Sequence, residues 1–146
     1  MELIPLREDG TPAMTINLPD AARAVVNQTA AHYQRAGYAP PWIGYLAMEN
    51  DTVVGTCAFV TAPADGEVEI AYYTLPGGEG RGVATRMAVQ LIEIAARTDL
   101  TVIVKAHTLP EENASARVLR KLGFSFSESM THPEDGEIWV WRLSHP

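Results

Sequence analysis

Gly77-Gly78-Glu79-Gly80-Arg81-Gly82-Val83-Ala84-Thr85 joins an apolar, strand-like run, Val68 to Leu75, to a helix-like run, Val83 to Arg97. Glycine leaves backbone N–H groups unshielded and permits backbone angles closed to other residues. A helix that begins directly after such a loop points the positive end of its dipole back at it. Strand, glycine turn and helix N-terminus together can hold a phosphate. The spacing matches neither standard nucleotide signature. No Gly-Lys-Ser/Thr closes the loop as in a P-loop, and the G-x-G-x-x-G fingerprint is absent. A plain turn is the other reading, so the rest of the chain has to decide.

The 146 residues, 47% of them apolar, predict a single domain over residues 1–146 with a real core. No run approaches the ~18 apolar residues that span a bilayer. The stretch Met1 to Asp9 lacks a basic segment followed by an apolar one, and the lone Cys57 cannot form an internal disulfide. Both features predict a cytoplasmic location. A net charge of −7 argues against nucleic acid and anionic membranes as partners. The charge is uneven: Arg81 to Lys121 carries +3 and the remainder −10. The positive block starts at the glycine loop. It suits a small anionic ligand there, with a cationic amine facing the acidic remainder; solvated surface is the alternative.

Working outward, Leu3 to Leu6 reads as a first strand and Arg7 to Pro12 as a turn. Asn17 is placed to cap a helix that carries Ala22, Val25, Val26, Thr29, Ala30 and Tyr33 on one face and stops at Gly37. Trp42 to Met48 and Thr52 to Val60 form a hairpin, and Glu67 to Leu75 is the third strand of the meander. Beyond the loop, Val83, Met87, Leu91, Ile94 and Ala95 line one face of a helix. Thr101 to Ala106 is a short apolar run, typical of a strand covered on both faces. Strand, helix and strand in this order make a right-handed crossover with parallel strands. Thr108 opens a capping box with Glu111 for a last helix, with Asn113 as a competing cap. Phe124 to Met130 and Glu137 to Leu143 close the chain as a hairpin.

This order of elements resembles the GNAT acetyltransferase superfamily. Two motifs carry the resemblance. Glu79-Gly80-Arg81-Gly82-Val83-Ala84 is similar to the family's pyrophosphate loop, Gln/Arg-x-x-Gly-x-Gly/Ala. His107 to Phe124, with Asn113, Ser115, Arg117, Leu119, Lys121 and Gly123, is similar to the Asn-x-x-Ser...Leu-x-Lys-x-Gly-Phe segment. That segment belongs to the branch containing ribosomal-protein N-terminal acetyltransferases. There are two departures. Glu79 stands where the family has Gln or Arg, and the family's Asn position falls on Glu112, with Asn113 one residue late.

The resemblance implies an α+β fold with a mixed sheet. An antiparallel meander leads into a β-α-β crossover whose parallel pair is splayed, with helices on both faces. It implies acetyl-CoA as donor and no metal. Gly80, Arg81, Gly82, Val83, Ala84 and Thr85, with Glu79, would hold the diphosphate; Asn113 and Arg117 would meet the cofactor from the last helix. A bulged strand with backbone groups of Tyr73, Thr74 and Leu75 would take the pantetheine arm. Some members dimerise, so a homodimer is allowed.

An attacking ammonium must first lose a proton. Glu69 is the expected base, with Glu67 on the same face in reserve; the other reading makes both a solvent face. Ser115 is placed to bond the sulfur, or merely its own helix start, and the tyrosine that some relatives use as an acid is replaced by Leu119. Cys57 reads as a buried thiol. His32, His107, His132 and His145 lack metal-ligand spacing, and His107 either lines the cleft or packs. Trp42, after Pro40-Pro41, is mainly core, with a role in shaping an acceptor pocket as the other reading. Three functions remain open: an N-acetyltransferase acting on a small amine or a peptide N-terminus, a silent acyl-CoA sensor on the same fold, and an anion-binding structural protein.

Overall fold

Asn50 and Asp51 both take left-handed backbone angles, φ 51° and 62°. Such pairs give the tight turn that matches the twist of a hairpin. They join β2 (Gly44–Glu49) to β3 (Thr52–Phe59) in a computed structural model that describes residues 1–143. Asp65 and Gly66, also left-handed, turn β3 into β4 (Glu67–Thr74). With β1 (Glu2–Pro5) these strands form the antiparallel meander. A long helix, α1 (Asp20–Ala36), separates β1 from β2. After β4 come α2 (Val83–Thr98), β5 (Ile103–Thr108), α3 (Ala114–Lys121) and the hairpin β6 (Phe124–His132) and β7 (Gly136–Leu143).

The seven strands form one sheet in the order β1-β2-β3-β4-β5-β7-β6. Among the described residues only the β4–β5 pairing is parallel, as expected for a crossover through α2. Helices cover both faces. Ala22 and Val26 of α1 pack with Ile4, Leu6 and Leu46 on one side. Met87 and Leu91 of α2, with Ala116 and Leu119 of α3, pack on Ala47, Cys57, Val68 and Ile70 on the other. Trp141 is fully buried and its indole N–H donates to the Thr108 hydroxyl at 2.8 Å. No helix among the described residues is long and apolar enough to cross a membrane.

Some local expectations fail for identifiable reasons. The N-cap of α1 is Pro19, not Asn17, and no side chain caps it. The Thr108 capping box does not form, because Thr108 extends β5 and its hydroxyl serves Trp141. Asn113 caps α3 instead, its Oδ1 accepting from Ala116 N–H at 2.9 Å. β5 lies two residues later than Thr101 to Ala106, because Thr101 is held in a turn by the Asp99 carboxylate. Trp42 stacks edge-on against Phe59, at 5.0 Å between centroids. His145 lies outside the described residues.

Gly55 on β3 sets how closely α2 approaches. A Cβ there would meet Met87 Sδ at 2.7 Å and the Tyr73 carbonyl at 2.8 Å. Met87 is fully buried and has nowhere to retreat. Gly55→Val should therefore cost about 1–3 kcal/mol of overpacking. Urea unfolding should show a lower midpoint at unchanged slope; an unaltered midpoint would mean that this contact is not tight.

Candidate active site

β4 and β5 pair for only four residues. The register runs from Glu67↔Ile103 to Ile70↔Ala106 and then stops. β4 continues along β3 to Gly55↔Thr74, while β5 continues along β7 to Thr108↔Trp139. Two antiparallel subsheets thus share one short parallel seam and part beyond it. The β3–β4 register shows no shift, so β4 is not bulged as the resemblance implied. The bulges lie at Ala47/Met48 and Phe126/Glu128.

The hydrogen-bond phase of β4 says which backbone groups face the gap. Leu75 N–H bonds the Val54 carbonyl at 3.0 Å, and Val60 N–H bonds the Glu69 carbonyl at 2.9 Å. Along an antiparallel pair such groups alternate sides. The main-chain groups of Tyr73 and Ala71 are therefore turned to β3, whereas those of Tyr72 and Thr74 point into the gap. Of Tyr73, Thr74 and Leu75, only Thr74 offers its N–H there, and Tyr72 had not been expected. The phase depends on which neighbour β4 pairs with, which residue types do not reveal.

The glycine loop leads from the gap to α2. Gly77, Gly80 and Gly82 all have positive φ, and Gly82 in the left-handed region is the N-cap of α2. Among the described residues, no amide from Gly80 to Thr85 makes a hydrogen bond to a protein acceptor. No side chain caps the helix and no acid lies in its first turn. A row of free N–H groups at a helix N-terminus suits a diphosphate. Glu79 does not join the row: its carboxylate folds back to accept from Gly77 N–H at 2.9 Å. Arg86 braces the loop from behind, donating to the Arg81 carbonyl at 2.9 Å and to both Glu49 oxygens at 2.6 and 2.8 Å. Arg81 is exposed, and Val83 is buried under the loop.

At the seam, Glu67 and Glu69 share a face but not an environment. Arg142 grips Glu67 through two hydrogen bonds, at 2.6 and 3.1 Å, and Lys105 adds a third contact at 3.4 Å. Hydrogen bonding to Arg142 holds the Glu67 carboxyl below its ordinary range. The Glu67 carboxylate is thereby committed to Arg142. Glu69 instead meets His107 Nδ1 at 3.3 Å. Burial pushes the Glu69 carboxyl up, partly offset by His107, Lys105 and His132. The two neighbouring carboxyls therefore differ in their affinity for a proton. His107 therefore lies against Glu69, a placement that needs the β4–β5 register to see.

On α3, Ser115 stands half-buried in the first turn, Arg117 is exposed and Leu119 is core. Asn113 spends its side-chain oxygen on the cap. Cys57 is buried and burial pushes its thiol up to about 12, which leaves no nucleophile at neutral pH. Among the described residues no group of three His, Cys, Asp or Glu comes together as a metal site. Beside the gap, a cavity of about 400 Å³ opens between α1 and strands β2 to β4. Ala71 and Tyr73, on the same face as Glu69, form part of its wall; Trp42 does not.

A family model described as an acetyltransferase (GNAT) domain matches residues 4–125. Solved structures share the fold. The aminoglycoside acetyltransferase AAC(6')-Ib, in complex with coenzyme A, is 21% identical with a TM-score of 0.60, over 70% of this chain and 65% of its own. This chain thus spans less than two-thirds of that enzyme. RimL, a ribosomal alpha-N-protein acetyltransferase in complex with coenzyme A, is 19% identical with a TM-score of 0.64, over 86% of this chain and 72% of its own. A spermidine N-acetyltransferase chimera from Vibrio cholerae and hSSAT is 10% identical with a TM-score of 0.70, over 98% and 95%. No curated protein sequence matches the chain.

The two carboxyls predict a titration order. In carbon-detected NMR, Glu67 should titrate below an ordinary glutamate and Glu69 above one. Positive charge on His107 lowers Glu69, so His107→Leu should move Glu69 further up. The reverse order, or a downward move in the variant, would contradict the electrostatics described.

Proposed function

We propose that this chain, which belongs to the GNAT acetyltransferase family, transfers the acetyl group of acetyl-CoA directly to a primary amine. The observation that carries this reading is the parting of β4 from β5 beside a row of unbonded loop amides. The residues fit the donor. The amides of Gly80 to Thr85 take the diphosphate, with the exposed Arg81 side chain beside them. Backbone groups of Tyr72 and Thr74 take the pantetheine arm as an added strand would. An N–H of that edge lies ready for the acyl oxygen, where negative charge develops. Arg117 and the side-chain NH2 of Asn113 face the same ligand from α3.

The chemistry then needs few groups. Glu69 accepts one proton from the acceptor's ammonium, and His107 lies in position to pass it to solvent. The freed nitrogen bonds to the acyl carbon, the carbon–sulfur bond breaks, and the nitrogen sheds its second proton toward Glu69 or water. The departing thiolate is a fair leaving group unaided, since a thiol titrates near ~8.5; Ser115 is the one hydroxyl assigned to it. Leu119 supplies no acid. We further place the enzyme in the cytoplasm, as a single domain over residues 1–146, and a homodimer is compatible with this reading.

Two measurements check the proposal. Titration calorimetry should show acetyl-CoA binding that Gly82→Trp abolishes; undiminished binding in that variant would remove the loop from the site. Free-thiol detection of CoA release should show Glu69→Gln lowering kcat about 10²–10⁴-fold with acetyl-CoA affinity unchanged. Because burial raises the Glu69 carboxyl, the rate should fall with acid at a pH above that expected for a free glutamate. An equal rate in the variant would exclude Glu69 as the base. Binding without CoA release on any amine would instead leave an acyl-CoA sensor.

A further inference from the structure

We infer that the cavity under α1 receives the body of the acceptor and selects a monoamine carried on an apolar or aromatic group, at the expense of polycations. This rests on the transfer reaction proposed above and specifies its second substrate.

Position comes first. Glu69, Ala71 and Tyr73 alternate onto one face of β4, and Ala71 and Tyr73 wall the cavity. At the other end, His32 of α1 bonds the Val60 carbonyl at 2.7 Å, and Val60 N–H in turn bonds the Glu69 carbonyl. The cavity therefore runs along β4 from the level of Glu69 to that of the gap. An amine whose nitrogen lies at Glu69 has its body in this space. The space exists because Ala58 and Ala71 are cross-strand partners, so two small side chains meet where larger ones would fill it.

The lining decides the class. Among the described residues no Asp or Glu lines it, while Arg35 and His32 do. The nearest acids along β4 are committed, Glu67 to Arg142 and Lys105, and Glu69 to the reacting nitrogen. A second ammonium in the cavity would face a guanidinium and an imidazole with no carboxylate to pair it, which is costly away from water. Apolar groups meet the opposite situation. Tyr33 has its hydroxyl on the Leu6 carbonyl at 2.9 Å. It is left to offer ring carbons, with Val25, Ala58 and Ala71 beside it. About 400 Å³ lies at the small end of the roughly 300–1,000 Å³ of ligand pockets. The acidic balance outside Arg81 to Lys121, which suggested cationic amines, does not extend to this cavity.

The test is a panel of acceptors with acetyl-CoA and free-thiol detection. Phenethylamine and isopentylamine should exceed spermidine and kanamycin in kcat/KM by about tenfold or more. Ala71→Phe, at an exposed position, should raise KM about tenfold for phenethylamine and much less for methylamine, with acetyl-CoA affinity retained. Arg35→Glu, on the helix surface, should raise kcat/KM for spermidine several-fold and barely alter phenethylamine. Spermidine, kanamycin or a peptide N-terminus outperforming the monoamines would overturn the assignment while leaving acetyl transfer intact. So would an unchanged phenethylamine KM in Ala71→Phe. Acetyl-CoA binding with no CoA release on any amine would overturn both readings together.

Discussion

Four residues of parallel pairing hold this molecule's two halves in register. On one side β4 is the last strand of a meander; on the other, β5 is fastened to β7. Antiparallel pairing binds each strand more strongly to its own subsheet than the short seam binds them to each other. Sheets twist as strands are added. Two subsheets anchored at one end of a seam are accordingly free to diverge at the other. Core packing keeps them from separating altogether. Ile70 and Ala106, the last paired residues, are both buried beneath α2 and α3, and Trp141 is locked to Thr108 on the far strand. The gap is thus a consequence of how the sheet is assembled, and needs no bulge in β4.

That gap organises the polar groups around it. Tyr72 and Thr74 present main-chain groups to it because the phase of β4 is set by β3. The loop amides lie at its mouth because α2 starts where β4 ends, with Gly82 in a left-handed conformation that a side chain would strain. Arg86, which the charge count assigns to a positive block, is consumed in bracing the loop against Glu49. What remains for an anion is chiefly backbone. This also explains how a glutamate is tolerated at position 79: its carboxylate turns back onto Gly77, away from the amides at the head of α2.

Much of the fold was legible in the sequence because period and punctuation agree. Asn50-Asp51, Gly37, Asp65-Gly66 and Gly123 all end elements where a turn residue is needed. The motif around Gly80 and Gly82 was legible for the same reason. Details that depend on partners were not. Asn17, Thr108 and Asn113 are all competent caps by residue type, and only Asn113 is used, because Thr108 is claimed by Trp141. The pairing of Glu69 with His107 is diagonal across two strands some forty residues apart in sequence; Glu67 and Glu69 look alike until Arg142 arrives from β7. Of Tyr73, Thr74 and Leu75 only Thr74 turns its backbone into the gap, because successive residues of a strand exchange sides.

The central claim is that the amides of Tyr72, Thr74 and Gly80 to Thr85 are empty in the free protein and filled by one ligand that spans loop and gap. Residue-resolved amide hydrogen exchange with and without saturating acetyl-CoA tests it most directly. Those amides should exchange rapidly alone and slow by at least about tenfold in the complex, while Tyr73 and Leu75, already bonded to β3, are protected in both. Protection confined to other parts of the chain, or none at all between residues 72 and 85, would contradict the account.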